Sequence, residues 1–242
     1  MRMSPSKPFL NSIRQRLNSR DQLWLRGSIF GLAVVSLWEV FGSDLSLAAL
    51  TGGRGGFPLR DSTWLVVPLH TGARLVAWAV LLSLVVGIRY PIGPLKSLPV
   101  HARVQLPVGV LVCLLTVASV KYFSTTSCPW DLQEFGGTVP YVWHWTLGVS
   151  DGGGGRCFPA GHASTGFAFL AGYFVLAQHQ SRLASLWFVT SVFAGIALGA
   201  SQQFRGAHFT SHTLWTAWIC WAVGGAVDAL FRRWRTFRLG VL

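Results

Sequence analysis

Charged side chains are scarce in this sequence. Lys, Arg, Asp and Glu make up 12% of the 242 residues, and only 8 of them are acidic. Soluble domains carry about 25% charged residues, so this scarcity excludes an ordinary soluble domain. With 51% hydrophobic residues and 12 Trp, the composition is that of an integral membrane protein.

Other features are also missing from the chain. It has no internal repeat and no low-complexity tract, so we predict a single membrane-embedded domain over residues 1–242. No small-residue cleavage site follows the first apolar run, and we expect that run to remain as an anchor. No nucleic-acid recognition motif accompanies the net charge of +12. The basic residues therefore indicate membrane-helix flanks that meet anionic lipid, and no nucleic-acid partner is expected.

Six apolar stretches predict the fold class: all-α, a polytopic membrane protein built as a six-transmembrane-helix bundle. A crossing needs about 20 predominantly apolar residues, and several of the stretches approach this length. They lie near 27–42, 71–88, 104–120, 162–178, 184–202 and 209–230. Six crossings would place both termini on one side of the membrane.

The positions of the basic residues predict which side that is. Of the 20 basic residues, 14 fall on one face of the six-span topology, and the positive-inside rule makes that face cytoplasmic. Residues 1–26 then form a basic cytoplasmic arm. The 14 are Arg2, Lys7, Arg14, Arg16, Arg20, Arg26, Arg89, Lys96, Arg103, Arg182, Arg232, Arg233, Arg235 and Arg238.

The same topology brings three polar positions to the outer face. Lys121 ends the third apolar helix, His162 begins the fourth and His208 begins the sixth. Imidazole transfers protons near neutral pH and also acts as a nucleophile, so the pattern favours an enzyme. A long periplasmic loop, 122–161, joins the first two positions, and a loop of that length is typical of a lid or pocket wall.

These residues lie in three ordered motifs. The first motif consists of Lys121, six residues and Cys128-Pro129. The second is Pro159-Ala160-Gly161-His162. The third consists of Ser201-Gln202, five residues, His208, three residues and His212. In order, spacing and membrane position, the set resembles the type 2 phosphatidic acid phosphatase superfamily. The family motifs are Lys, six residues, Arg-Pro; Pro-Ser-Gly-His; and Ser-Arg, five residues, His, three residues, Asp. This chain departs from them at Cys128, Ala160, Gln202 and His212.

The resemblance implies a mechanism without a metal or other cofactor. His208 would attack phosphorus to give a phosphohistidine, and His162 would protonate the leaving oxygen. His212, one helical turn beyond His208, would orient the nucleophile in place of the family aspartate, with Asp131 or Asp151 as possible compensating acids. The phosphate would be bound by Lys121, Gln202 and the backbone near Gly161, with Arg156 and Arg205 supplying the guanidinium groups missing from the motifs.

Alternatives remain for several of these residues. His162, His208 and His212 could instead form a three-histidine zinc site; Lys121 could only snorkel to the interface; and the second motif could be only a turn that starts a helix. Cys128 and Cys157 flank the long loop, and we predict a disulfide between them if the outside is oxidising; two reduced packing cysteines are the competing account.

The predicted substrate is a phosphorylated membrane lipid. The resemblance allows lipid A phosphates, undecaprenyl pyrophosphate, phosphatidylglycerophosphate and phosphatidic acid, and an outward-facing site favours an envelope lipid. The expected location is the bacterial inner membrane, with the active site periplasmic. A lipid phosphotransferase using the same intermediate and a non-catalytic phospholipid binder or transporter are the competing functions.

Overall fold

A computed structural model of the chain describes residues 7–146 and 148–238, and nine α-helices make up most of this part. The described residues contain no strand. The helices are α1 (Lys7–Phe41), α2 (Asp44–Ala48), α3 (Thr63–Leu65), α4 (Ala73–Arg89), α5 (Val100–Phe123), α6 (Gly161–Phe167), α7 (Leu170–Leu176), α8 (Ser181–Phe204) and α9 (Thr210–Arg238). A π-helical turn, Val66–Gly72, joins α3 to α4.

Within the described residues, five segments are long and apolar enough to cross a membrane. They are Ser19–Phe41, Thr63–Ser97, Val100–Phe123, Ser181–Phe204 and Thr210–Phe237. Large apolar side chains on their outer faces are exposed, among them Phe30, Leu82 and Phe193. Such an extended apolar surface is stable in lipid and not in water, so the chain is a multi-pass membrane protein.

The fourth predicted stretch, 162–178, is not one long helix. It consists of the short helices α6 and α7, separated at Ala168 and Phe169. At the break the backbone tightens, because the Gly172 N–H donates to the Phe169 carbonyl at 2.9 Å. The indole of Trp187 donates to the same carbonyl at 2.7 Å. Of the predicted six-transmembrane-helix bundle, the described residues thus show five long apolar segments and one broken segment.

The broken segment lies in the middle of the bundle and runs from one end to the other. At one end the Thr216 hydroxyl donates to the carbonyl of Ala160; at the other, the amide of Gln178 donates to Asp228 at 2.8 Å. Helix α7 fits there because its neighbours are small, since a Cβ on either Gly109 or Gly224 would lie 2.9 Å from an atom of Ala171. The free thiols of Cys113 and Cys220 are buried in the same core.

The two ends of the bundle differ in chemistry. The histidine end contains the C-termini of α5 and α8 and the N-termini of α6 and α9. The basic end contains an ion-paired network in which Arg232 binds Asp21 at 2.5 Å and Asp228 at 2.9 Å. Arg103 and Arg182 lie at this end, in the first turns of α5 and α8. Arg2 and the side chains of Lys7, Arg14, Arg16 and Arg238 lie outside the described part of the chain.

Candidate active site

One cavity of about 360 Å³ at the histidine end gathers residues from all three motifs. Lys121 comes from the last turn of α5, His162 from the first turn of α6, and His208 from the short turn between α8 and α9. The full lining is Arg74, Lys121, Cys128, Trp130, Gly161, His162, Thr165, Gln202, Arg205, Ala207 and His208. The predicted convergence of distant polar residues is thus present in the fold.

His208 is buried, with 5% of its surface exposed. Its Nδ1 lies 3.4 Å from Nδ1 of His212 and 3.6 Å from the sulfur of Cys157. Burial, followed by the positive charges of Lys121 and His162, holds the pKa of His208 well below its usual value, against a hydrogen bond to the Cys157 backbone that raises it. The ring is therefore neutral near pH 7, as a nucleophile must be.

Two arginines line the cavity in place of those absent from the motifs. Arg205 is 9% exposed; its Nε donates to the carbonyl of Arg60 at 2.7 Å and its guanidinium donates to the Oε1 of Gln202 at 3.0 Å. These bonds fix the plane of the guanidinium and involve only two of its five N–H groups. Arg74, from the first turn of α4, is the second.

Arg74 was not predicted as a site residue from the sequence, because the positive-inside rule concerns basic residues in loops and Arg74 lies within an apolar stretch. The relevant pattern was in the sequence: an arginine within an apolar stretch is costly in lipid and usually faces a polar interior. A Cβ at Gly161 would lie 3.5 Å from the Lys121 side chain, an ordinary van der Waals contact. The first turn of α6 therefore packs directly beside the lysine.

Arg156 is not brought to the cavity. Its guanidinium lies over the ring of Tyr122, 4.9 Å from the centroid. Its backbone has a positive φ of 58° and its N–H donates to the carbonyl of Ser124. Arg74 and Arg205, rather than Arg156 and Arg205, are the guanidinium groups that the fold presents to the site.

A disulfide joins Cys128 to Cys157, with the two Cα atoms 5.2 Å apart. It links the end of the first motif to the residues that precede the second, as the sequence predicted. A further bond holds the long loop, because the N–H of Trp130 donates to the carbonyl of Gly206 at 2.9 Å. The loop therefore closes over the turn that carries His208.

The disulfide also bears on the zinc alternative. Among the described residues, the cluster of ligand atoms that gathers within 4.8 Å is Cys157, His208 and His212, and His162 is not part of it. A disulfide sulfur is not a thiolate and is a poor metal ligand. The three-histidine arrangement expected of such a zinc site is not formed by these side chains.

Comparison with known proteins agrees with this geometry. The family model of the PAP2 superfamily matches residues 102–236, more than half of the chain and a range that contains all three motifs. The chain belongs to the PAP2 superfamily, the type 2 phosphatidic acid phosphatases. No curated protein and no solved structure matches it. Members of the superfamily are phosphatases, which indicates hydrolase activity on lipid-like phosphate esters.

The PAP2 chain has an unusual environment around His212, where the family motif has aspartate. His212 is 1% exposed and is surrounded by the rings of His144, Phe158, Phe209 and His208. Neither acid suggested from the sequence contacts it. Asp151 accepts hydrogen bonds from Ser127 and Gly153, and Asp131 accepts one from the Trp130 indole.

Two other carboxylates support the histidine end. Asp44 is 6% exposed, and its carboxylate accepts bonds from the N–H and hydroxyl of Ser211, in the first turn of α9 between the two histidines. Glu39, at the end of α1, accepts a bond from the ring of His144. Glu39 was detectable as an acidic residue within the first apolar stretch; the sequence held no comparable indication for Asp44 or His144.

Proposed function

We propose that the protein is an integral-membrane lipid phosphatase that acts through a phosphohistidine intermediate, without a metal cofactor. The observation that supports this most directly is a single cavity containing a neutral, buried His208, a second histidine at position 162 and three cations, Lys121, Arg74 and Arg205. A nucleophile, an acid and a phosphate-binding set are the parts that phosphoryl transfer requires.

The first half-reaction transfers the phosphoryl group to the enzyme. The Nε2 lone pair of His208 attacks phosphorus, and the bond from phosphorus to the lipid oxygen breaks. His162, protonated, donates its proton to that oxygen, and the lipid leaves as an alcohol or, from a pyrophosphate, as the monophosphate. A positioned acid of this kind is worth about 10²- to 10⁴-fold in rate.

The second half-reaction releases phosphate. Neutral His162 takes a proton from water, the resulting hydroxide oxygen bonds to phosphorus, and the phosphorus to nitrogen bond of His208 breaks. Inorganic phosphate leaves and both histidines regain their starting states. Throughout, Lys121, Arg74 and Arg205 balance the charge on the equatorial oxygens, and the Gln202 amide and the N–H groups at the start of α6 are further donors near them.

A second cavity supports a lipid as the substrate. It has a volume of about 670 Å³, lies between α4 and α8 over α6, and is lined almost entirely by apolar side chains. Thr165 lines both this groove and the phosphate cavity, and the exposed side chains of Val76 and Leu186 form part of its outer wall. A lipid headgroup in the cavity can thus leave its chain in the groove and in the bilayer.

We place the site at the outer face of a bacterial inner membrane. The opposite end of the bundle has the ion-paired arginine and basic loops that the positive-inside rule assigns to the cytoplasm. Counting the broken α6–α7 segment as a crossing gives six crossings and cytoplasmic termini. An outward site favours an envelope lipid, with lipid A phosphates, undecaprenyl pyrophosphate, phosphatidylglycerophosphate and phosphatidic acid as the candidates.

One observation keeps phosphotransfer as a second candidate. His208 also borders another cavity of about 360 Å³, whose lining includes Asp44, Thr51, Gln203 and Thr210. An acceptor alcohol bound there would meet the phosphohistidine in place of water. Hydrolysis predicts inorganic phosphate from a single lipid, whereas transfer predicts none until a second lipid is added.

The experiment is phosphate release from a panel of lipid phosphates by the detergent-purified full chain, with and without a chelator. We expect release from at least one lipid, unaffected by the chelator, and a loss of at least about 10³-fold in His208→Ala and about 10²-fold in His162→Ala. Lipid binding without turnover by the wild type would instead support the non-catalytic binder.

A further inference from the structure

We propose that Glu39 and His144 are positioning residues for the nucleophile, acting through His212 in the place where the superfamily motif has an aspartate. The inference rests on the proposed function and extends it. It assigns a role to a buried carboxylate that lies far from the motifs in sequence, on the first membrane helix.

The carboxylate of Glu39 is enclosed by three N–H donors. His144 Nε2 lies 2.9 Å from Oε1, the Trp215 indole donates to Oε1 at 2.8 Å, and the Trp143 indole donates to Oε2 at 2.7 Å. Only 11% of the Glu39 side chain and 3% of the His144 side chain are exposed. Two of the three donors are neutral indoles, which orient the carboxylate without adding charge to it.

The ring of His144, held by Glu39, contacts the ring of His212 and restricts its orientation. The two rings meet edge to face, perpendicular, with centroids 5.3 Å apart. Phe158 stacks on His144 at 4.1 Å and also meets His212 edge to face at 5.3 Å. His212 therefore has little freedom to turn, and its Nδ1 stays 3.4 Å from Nδ1 of His208.

We infer that His208 reacts through Nε2. Two Nδ1 atoms at this distance form a hydrogen bond only if one carries the proton, and the Cys157 backbone bonds to both rings. When His208 donates from Nδ1, its Nε2 keeps the lone pair that attacks phosphorus. A neutral His212 accepts that bond, as the aspartate would.

Glu39 supplies the negative charge that His212 lacks. Lys121 and His162 face His208 with positive charge, and Lys121 also faces His212. Attack on phosphorus adds positive charge to the His208 ring. A buried carboxylate two rings away stabilises this positive charge, and the interaction is weakly screened because His144 and His212 are themselves buried.

The test compares Glu39→Gln and His144→Gln with Asp21→Asn in the purified full chain. Asp21 is the other carboxylate of α1 and binds Arg232 at the basic end, so it is a matched control. We expect kcat to fall about 10- to 100-fold in both test variants with KM within about 2-fold, and to be unchanged in the control. Glu39→Asp should recover part of the loss. The double variant should be no more than about 3-fold worse than either single variant, because both act along one chain of contacts.

A pH measurement separates positioning from folding. Without the Glu39 charge, protonation of His208 becomes less favourable, so the acid limb of kcat/KM should move to lower pH by about half a unit or more. Folded Glu39→Gln protein with wild-type kcat and an unmoved acid limb would overturn the proposal. So would multiplicative losses in the double variant.

The outcome can be read even if the proposed function fails. Should the wild type release phosphate from no lipid, nitrogen NMR of the His208 ring in wild type and Glu39→Gln still reports the coupling. A titration that moves to lower pH in the variant supports the positioning role, and identical titrations contradict it.

Discussion

At the scale of single residues, the account depends on which side chains meet phosphate. Arginine offers a planar fork that matches two phosphate oxygens, and the fold presents this group from positions 74 and 205. The motif spacing alone pointed to positions 156 and 205. The position of Arg74 within an apolar stretch indicated a polar interior, but which cavity it enters depends on the packing of α4 against α6, which sequence spacing does not encode.

We expect Arg74→Ala and Arg205→Ala each to lower kcat/KM about 10²- to 10³-fold, because each removes a cation from the phosphate-binding set. Arg156→Ala should stay within about 3-fold of wild type, since Arg156 lies on the Tyr122 ring and a cation–π contact at an exposed position is worth about 0.5–1 kcal/mol. Steady-state kinetics of the three variants on one lipid phosphate would show which arginines contribute to kcat/KM. A large loss in Arg156→Ala with normal rates in Arg74→Ala would reverse the assignment.

The burial of His208 predicts the pH dependence. Because its pKa lies well below the usual histidine value, the ring of His208 stays unprotonated down through the range in which an exposed histidine, at about 6.5, becomes charged. The acid limb of kcat/KM should therefore lie below pH 6.5. The unfolded state binds this proton more readily, so the contribution of neutral His208 to folding stability is full at higher pH and declines as the pH falls below about 6.5.

That prediction is checked by a pH profile of kcat/KM, which reports groups of the free enzyme, together with thermal unfolding at several pH values. An acid limb at or above 6.5 would contradict a depressed pKa at His208.

At the scale of elements, the alternation of membrane helices explains how much could be predicted. Lys121, His162 and His208 each lie at the end of an apolar stretch, so crossing number alone brought them to one face. The break at Ala168 and Phe169 could not be predicted, because it depends on the Trp187 indole from another helix. The contacts of Glu39 with His144 are equally distant in sequence and depend on tertiary packing.

The groove between α4 and α8 gives a prediction at this scale. Ala194→Trp should fill the groove and lower kcat/KM for a long-chain lipid phosphate about 10-fold or more, while a short-chain soluble phosphate ester is hydrolysed as by wild type. Phe193→Trp is the matched control, because Phe193 is 73% exposed and does not line the groove. Equal losses on both substrates would indicate a general packing defect instead.

The disulfide leads to a second prediction at this scale. Alkylation under native oxidation should find two free thiols by intact mass, those of Cys113 and Cys220. By chain entropy, a bond across a separation of 29 residues stabilises a fold by about 3.5 kcal/mol, so Cys128→Ser with Cys157→Ser should lower thermal stability and activity together. Four alkylated thiols without reductant would refute the bond.

At the scale of the whole molecule, the buried α6–α7 segment decides the topology. If it counts as a crossing, the long loop and the α7–α8 connection lie on opposite sides of the membrane. Ser150→Cys and Arg182→Cys, both at exposed positions, test this with a membrane-impermeant maleimide on intact cells. We expect labelling of the first and protection of the second; equal labelling would favour five crossings.

The most direct measurement is rapid quenching of the purified protein with a lipid labelled in its phosphate, followed by mapping of the bound label. The account predicts an acid-labile, alkali-stable phosphate on the peptide that contains His208, absent from His208→Ala. Turnover by the wild type with no label on that peptide, or with the label on another residue, would contradict it.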